Sequence, residues 1–411
     1  MRKGKIVIIN HYGITPEMPG ATKHYDLAKF FADKNEYDIE FWMCGYNHVT
    51  GDYDAGLKGA HIQHTYKEDG IKLVKIKSVP DWGGLLMRQL NIMVFDFITG
   101  VKILFGRDIK CVILSMPPIT FFATDATFLR RIKMVADVED LWPLFMEDMG
   151  MKNTIASKYM EHFANHSYNV ATAFEAVSEG MLKYVKSKIR DKSKKSWLAP
   201  LGVNMKLVEG EVDKSKIKQY AWKDDFVVIY AGAHGRANDI EAVLHTIELF
   251  EKLDKTVNGK KVSFVFIGNG DNKEALINLS RELKLKSVYF EDAVPSSKVP
   301  QILMNADVCL TNLKKIESFK LVRPNKIFQY MAAKRPILCG IWGEAAEVVK
   351  EAGSGIYVDF TAPNAAEEMS AFFSRTDLSQ LGENGYRYIY KHGNRDTIFE
   401  EFYSHIKEII G

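Results

Sequence analysis

Cysteine is scarce in this chain of 411 residues, and the spacings typical of metal sites are missing. The four cysteines stand far apart, without a CxxC motif or a paired Cys/His spacing, which argues against zinc and favours a reducing, cytoplasmic compartment. A strong charge of one sign is lacking as well. The formal net charge is only +3, so the composition predicts no nucleic-acid partner.

Long uninterrupted hydrophobic runs are also absent. The apolar run Ile6–Ile9 is too short for a signal peptide and predicts a first β-strand. Residues 82–105 are the most hydrophobic segment and are long enough to span a bilayer, but polar residues such as Arg88 and Asp96 interrupt them. Two interpretations stay open: a largely buried helix, which we favour, and an amphipathic helix on a membrane surface. The basic run 183–195 adds seven cations against one acid, which indicates a solvated helix face or contact with anionic lipid.

The composition is that of an ordinary globular protein, with 46% hydrophobic and 26% charged residues. The length predicts two domains, which we place at residues 1–200 and 201–393. Both halves alternate short apolar strands with helices, as a doubly wound α/β fold does. Strands of the second half are predicted at residues 226–231, 262–267, 288–290, 308–311, 337–339 and 355–358. Helices of ten to fifteen residues are expected between them.

In the second half, three loops should meet at the carboxyl edge of one parallel sheet. The first contains Gly235 and Arg236, and the second is Gly268-Asn269-Gly270. The third is the start of a helix after Pro324, with Asn325 as its N-cap and Lys326 in its first turn. A lysine beside free helix-start amides predicts an anion site, although an incidental surface lysine is the alternative. Taken together, the loops indicate a ligand rich in phosphate.

A dinucleotide-binding enzyme is the main competing interpretation. The partial glycine motif at residues 268–270 is followed by Lys273 where a third glycine belongs, and it stands on the second strand of its domain. We set a nicotinamide cofactor aside on this evidence.

In the first half, a predicted strand at residues 135–138 runs into Glu139 and Asp140. Polar residues at the carboxyl end of a parallel strand are where α/β proteins place their chemistry. Helix capping is the competing interpretation of Asp140.

These motifs, in this order, resemble family 4 retaining glycosyltransferases of the GT-B fold. The branch most similar is that of bacterial surface-polysaccharide enzymes like N-acetylfucosamine transferases. The resemblance covers nearly the whole chain and is carried by Pro19-Gly20, residues 115–118, Asp140-Leu141-Trp142-Pro143, residues 178–181, residues 232–236, residues 268–270, Pro324-Asn325-Lys326 and residues 330–333.

The resemblance implies an α/β GT-B architecture, in which two Rossmann-like domains face each other across a cleft. The second domain would bind a nucleotide-sugar donor, and a C-terminal helix at about residues 394–411 would pack back on the first. No metal and no cofactor are implied, because basic side chains and helix-start amides would stabilise the leaving diphosphate.

The resemblance also assigns roles to residues. Arg236 and Lys326 would contact the diphosphate, and Asp140 would lie beside the reacting sugar or the acceptor. Lys23, with Glu139, would stand on the acceptor side and hold an anionic acceptor. The donor-binding set is Gly20, Ala21, Gly235, Arg236, Gly268, Asn269, Gly270, Pro324, Asn325, Lys326 and Gln329.

Three positions depart from the family pattern. Ala21 replaces a second glycine, and Glu139 places two carboxylates together, which is expected to raise the pKa of one. Gln329 replaces the glutamate that grips the ribose hydroxyls, at a cost of about tenfold in donor affinity.

From these residues we predict a retaining, metal-independent hexosyltransferase that moves a sugar, with a UDP-linked donor preferred, to a lipid-linked or glycan acceptor in cell-surface polysaccharide synthesis. It would be cytoplasmic and peripheral on the inner face of the membrane. A catalytically weak scaffold of a glycan-assembly complex remains the alternative. A sugar-nucleotide epimerase is not supported, because no His/Glu constellation points to one.

Overall fold

A computed structural model describes residues 2–47, 51–57, 61–81, 84–118, 120–148 and 154–411. The chain divides into two compact units between Pro200 and Leu201. Two segments cross this division: Pro16–Gly20 belongs to the second unit, and Asp396–Gly411 belongs to the first.

The first unit is built on an eight-stranded sheet with helices between its strands. Its strands are β1 (Lys5–Asn10), β2 (Asp38–Cys44), β3 (Tyr46–Asn47), β4 (Asp52–Tyr53), β5 (Gln63–Glu68), β6 (Ile71–Ile76), β7 (Ile109–Met116), β8 (Lys133–Val138), β9 (Ala173–Ala176) and β10 (Lys195–Leu198). Its helices are α1 (Lys23–Asp33), α2 (Leu85–Phe105), α3 (Phe122–Leu129), α4 (Trp142–Met146), α5 (Ile155–Val170), α6 (Glu179–Lys188) and the last helix of the chain, Arg395–Ile410. The order of the sheet is β10-β9-β8-β7-β1-β2-β6-β5, parallel except for the β5–β6 pair, while β3 and β4 form a separate two-stranded sheet.

The last helix of the chain packs on the first unit through aromatic side chains. Phe402 contacts both Phe31 of α1 and Trp197 of β10, with ring centroids 5.9 and 5.4 Å apart. These rings belong to a core that buries one face of the sheet. Aromatic burial of this kind stabilises the contact by several kcal/mol, of the order of 2 per ring.

Strand β5 has no clear signature in the sequence, although it pairs antiparallel with β6. This pairing places β6 between β2 and β5 rather than at an edge of the sheet. Strand β5 carries only polar and aromatic side chains, QHTYKE, so no apolar alternation marks it.

The second unit has a six-stranded, wholly parallel sheet. Its strands are β11 (Phe226–Ala231), β12 (Val262–Ile267), β13 (Val288–Glu291), β14 (Val308–Asn312), β15 (Ile337–Gly340) and β16 (Gly355–Tyr357). Its helices are α7 (Ile240–Lys252), α8 (Lys273–Glu282), α9 (Val299–Leu303), α10 (Asn325–Ala332), α11 (Glu344–Glu351), α12 (Ala365–Phe373) and α13 (Leu378–His392), so the helix of the first unit that ends the chain is α14. The strand order is β13-β12-β11-β14-β15-β16, which is that of a Rossmann sheet with its switch point between β11 and β14.

Helix α10 differs in two details from its sequence interpretation. Its N-cap is Pro324 rather than Asn325, and no side chain caps it. Tyr330 is fully buried, and its hydroxyl accepts the Ala231 N–H at 3.0 Å and donates to the Leu310 carbonyl oxygen at 3.1 Å. Several helices are also shorter than expected, since α9 has five residues and α10 and α11 have eight each.

Helix α2 is apolar on two faces, and only one of them is buried. Ile92, Phe95 and Ile103 belong to the buried core. The opposite face exposes an apolar stripe whose members recur every three or four residues, with one further residue at its end: Leu86, Leu90, Met93, Phe97, Val101 and Leu104, followed by Phe105. The buried-helix interpretation therefore holds for one side of α2, and a membrane surface on the exposed side stays a prediction. Trp82 and Gly83 fall outside the described residues. Within the described part of the chain, no helix is long and apolar enough to cross a membrane.

Candidate functional site

The carboxyl edge of the second sheet brings two glycine loops into contact. The N–H of His234, in the loop after β11, donates to the Asn269 carbonyl oxygen at 2.9 Å. The N–H of Asn272 donates back to the His234 carbonyl oxygen at 3.1 Å. These bonds fix the loops at the switch point of the sheet, where parallel α/β folds bind ligands.

Gly268 is required at this contact. Its φ is +151°, and a Cβ at this position would lie 1.9 Å from the Gly232 carbonyl oxygen. Next to it, the Lys273 ammonium donates to the carbonyl oxygens of Gly268 and Glu291, both at 2.9 Å. The lysine that breaks the dinucleotide motif therefore holds the second loop in place.

Lys326 brings α10 to the first loop. Its ammonium lies 2.8 Å from the Tyr230 hydroxyl and 3.1 Å from Asn238 Oδ1, and a Cβ on Gly232 would come within 3.0 Å of it. Neither partner is charged, so burial lowers the pKa of Lys326 to about 7. The lysine is therefore only partly charged near neutral pH, and an anionic ligand would favour its protonated form.

His234 is a member of this site that the sequence interpretation missed. It is fully buried, and neither ring nitrogen has a hydrogen-bond partner among the described residues. Burial and the charges of Lys273 and Lys326 lower its pKa to about 4, so the ring is neutral at physiological pH. Its place in the sequence between Gly232 and Gly235 is the signal that could have identified it.

The other residues of the second half that are predicted to bind a donor lie on the same three segments. Arg236 is exposed and forms no ion pair with any described residue. Asn325 Oδ1 is buried without a partner among the described residues, and the Gln329 side chain is partly buried on the same helix. Gly235 and Pro324 are partly buried, while Gly270 packs so closely on the His234 backbone that a Cβ would lie 2.6 Å from it.

The first unit contains a buried charge cluster around Lys23. Its ammonium lies 2.9 and 3.0 Å from the two Asp137 oxygens and 2.9 Å from Glu175. Although burial opposes it, the charge of Asp137 holds the pKa of Lys23 above its ordinary value. Burial and the Asp137 charge raise the pKa of Glu175 well above its usual range, so its proton is retained.

This geometry corrects the expected role of Lys23. The side chain is 1% exposed and its charge is neutralised inside the protein, so it is not available to an anionic acceptor. His24, Asp137 and Glu139 place three possible metal ligands within 4.8 Å of one another. The Lys23 ammonium, 3.4 Å from Glu139 and bonded to Asp137, already supplies positive charge to this cluster.

Glu139 and Asp140 follow β8 at the carboxyl edge of the first sheet. Asp140 Oδ1 accepts the Leu141 N–H at 2.8 Å. Burial, with a smaller contribution from the Glu139 charge, raises the pKa of Asp140 to about 6. The pKa of Asp140 is raised, as expected for adjacent carboxylates, although burial is a larger cause of the shift than the Glu139 charge. Asp140 is thus a carboxyl group able to exchange a proton near neutral pH.

Gly20 and Ala21, in the segment between β1 and α1, are both exposed. Gly20 has a φ of +131°, which a residue with a side chain rarely adopts, and Ala21 follows it. Gly20 belongs to the second unit, where the Ser296 N–H donates to the Met18 carbonyl oxygen at 3.1 Å.

Residues 212–388 match the family described as Glycosyl transferases group 1. Among curated protein sequences, none matches the chain.

Solved structures share the fold over nearly the full length. Sucrose-phosphate synthase from Thermosynechococcus elongatus is 13% identical, with a TM-score of 0.74 over 99% of each chain. An E. coli trehalose-6-phosphate structure bound with UDP-2-fluoro glucose is 10% identical, with a TM-score of 0.71 over 98% of this chain and 99% of the other. Anabaena HepE, in complex with UDP and glucose, is 14% identical, with a TM-score of 0.67 over 98% of this chain and all of HepE. The fold class is therefore GT-B, with two Rossmann-like units.

Proposed function

We propose that this protein is a retaining glycosyltransferase of family 4 that moves a sugar from a nucleotide diphosphate to a lipid-linked or glycan acceptor in cell-surface polysaccharide synthesis. One observation carries the proposal. Lys326 and two interlocked glycine loops meet at the switch point of a sheet that lies within the matched glycosyltransferase region. A UDP-linked donor is preferred, since HepE was solved with UDP and UDP-glucose.

The donor-side residues have complementary chemical roles. Lys326 and the exposed guanidinium of Arg236 neutralise charge that develops on the leaving diphosphate. The amides at the start of α10 add donors that need no reorganisation. In this proposal neither a metal nor a cofactor takes part, and Asp140 lies beside the reacting sugar or its acceptor.

The alternative is a catalytically weak GT-B scaffold in an assembly complex. Gln329, Ala21 and Glu139 favour it because each departs from the family pattern. Gln329 in particular keeps an acceptor oxygen but cannot make a charge-assisted bond to a ribose hydroxyl.

Calorimetry with UDP separates the two functions. A transferase binds UDP with micromolar affinity, and Arg236→Ala weakens binding about 10- to 100-fold, as expected for a lost hydrogen bond to a charged group. Arg281→Ala, an exposed arginine on α8, is the matched control and leaves binding unchanged. A screen of nucleotide-sugars that follows released nucleotide diphosphate then identifies the donor. No UDP or GDP binding, with no release from any donor, would favour the scaffold.

We also propose that the first unit rests peripherally on the inner face of the membrane. The support is the exposed apolar stripe of α2. The basic run 183–195 supports this less than expected, because its cations are partly used within the protein. Lys188 pairs with Glu161 at 2.7 Å, and Lys194 donates to carbonyl oxygens at the end of α5.

A further inference from the structure

An apolar pocket opens among α2, α3, α4 and α5 of the first unit. Its volume is about 220 Å³, and its lining includes Met93, Phe121, Trp142, Tyr159, Met160 and Phe163. An apolar cavity of about 150 Å³ is enough to bind benzene, so this pocket accepts a larger hydrocarbon group.

The acidic side chain in the pocket wall is engaged by backbone groups of the protein. Asp96 accepts the N–H groups of Phe121, Phe122 and Ala123 at 2.7, 2.8 and 2.9 Å. Asp96 therefore caps the start of α3, and we do not assign it a role in ligand recognition. Apart from Gln89, the other side chains of the lining are apolar or aromatic, so a hydrocarbon suits this surface better than a polar ligand, which would lose most of its hydration without replacement.

The mouth of the pocket continues into the exposed apolar stripe of α2. Met93 and Tyr159 line the pocket and are 55% and 60% exposed. A chain that lies along the stripe can thus reach the pocket at Met93, which belongs to both.

The far side of the pocket adjoins the acceptor-side residues. Trp142 lines the pocket and stands two positions after Asp140. Its ring lies 6.2 Å from that of Tyr12, in the loop after β1 at the switch point of the first sheet. Only Leu141 separates Trp142, in the pocket wall, from the candidate catalytic carboxyl of Asp140.

We propose that this pocket binds the hydrocarbon chain of a lipid-linked acceptor, close to the chain's polar head. This inference rests on the proposed transferase function and selects its acceptor class, a sugar carried on a lipid, over a free glycan. An acyl chain of a bulk membrane lipid has no reason to favour the end of the stripe that adjoins Asp140, so the acceptor is the occupant.

Two variants on α5 test the pocket. Met160→Trp fills it, whereas Ile155→Trp adds the same indole at a position that is 90% exposed and outside the lining. With methionine methyl groups labelled, decyl phosphate below its micelle concentration is expected to shift the Met93 signal in the wild type and in Ile155→Trp. In Met160→Trp the apparent affinity should fall at least tenfold. Methyl phosphate, which lacks the chain, should shift nothing.

Transfer assays separate this inference from the proposed function. Met160→Trp should raise the KM for an alkyl-linked acceptor at least tenfold and leave UDP binding unchanged. An unshifted Met93 signal with decyl phosphate, or an unchanged KM in Met160→Trp, would overturn the pocket assignment while transfer itself persists. Chain binding in a protein that neither binds UDP nor transfers sugar would instead overturn the transferase and, with it, the assignment of the chain to an acceptor.

Discussion

At the scale of single residues, Lys326 links donor binding to pH. Its pKa is about 7 without ligand, and a bound diphosphate would raise that pKa towards the ordinary value because the charged form gains partners. The protonated form is the one that binds, so affinity for UDP is full below pH 7 and falls above it, by up to about tenfold per pH unit. The groups that face it are neutral His234, Tyr230 and Asn238, which leave Lys326 as the titrating partner.

Calorimetry of UDP binding between pH 6 and 9 measures this effect, and buffers of different ionisation heat report the proton taken up. Lys326→Arg is the control, because arginine stays charged over this range and removes that part of the pH dependence. An equal slope in both proteins would assign the titration to another group.

Gln329 gives a second prediction at this scale. Gln329→Glu restores a charged acceptor on α10, so donor affinity should change by no more than about tenfold, the size of one charge-assisted bond. Thermal unfolding should be unaltered, because the side chain is only partly buried. Complete loss of activity in this variant would show that the glutamine has a role of its own.

Lys23 is expected to matter for stability rather than for acceptor binding. Lys23→Met leaves Asp137 charged and buried without its cation, which should lower the free energy of unfolding by roughly 3–5 kcal/mol. Glu175→Gln should cost roughly 1 kcal/mol, since the raised pKa of Glu175 means that the carboxyl is already protonated. Urea unfolding followed by tryptophan fluorescence compares them. A loss below 1 kcal/mol for Lys23→Met would refute the role of this cluster.

At the scale of elements, the contact between the two glycine loops is the feature most sensitive to substitution. In Gly268→Ala the added Cβ would overlap the Gly232 carbonyl oxygen, so the loops must separate. We expect a loss of about 1–3 kcal/mol in stability and a fall of more than tenfold in UDP affinity. Gly210→Ala is the matched control, because Gly210 also has a positive φ, +111°, but open space around it. If Gly268→Ala and Gly210→Ala lowered UDP affinity equally, backbone strain alone would explain the loss.

Strands were easier to infer than helix boundaries, for a physical reason. Buried parallel strands such as β11 and β12 are continuous apolar runs, so their bounds follow from the sequence. Strand β5 is polar and half exposed, and the hydrogen bonds that define it come from β6. The burial of Tyr330 likewise depends on backbone partners in β11 and β14, which no local pattern reveals.

At the scale of the whole molecule, the α/β GT-B fold class was predictable and is confirmed. The meeting of three segments at the carboxyl edge of the second sheet was also predictable, since strand ends of one parallel sheet converge. Their role in donor binding stays a prediction. The organisation of the site was not, because Lys273, His234 and Tyr230 act through distances that only the folded chain sets. For the same reason Lys23 looked like a free cation. Its partners Asp137 and Glu175 are far away in the sequence, and no pattern around Lys23 indicates them.

Membrane association is a further prediction for the whole molecule. The stripe of α2 exposes Leu86, Leu90 and Phe105 by 84, 43 and 81%, and insertion of each side chain into a bilayer is worth about 1.5–3 kcal/mol. Wild-type protein should therefore float with anionic vesicles at low salt, and the triple serine variant at these positions should lose at least tenfold in bound fraction. The matched control replaces Leu207, Val212 and Leu249 with serine; these are 41–43% exposed on the second unit. If the wild type fails to float, or if both triple variants lose binding equally, the stripe is not a membrane-binding surface.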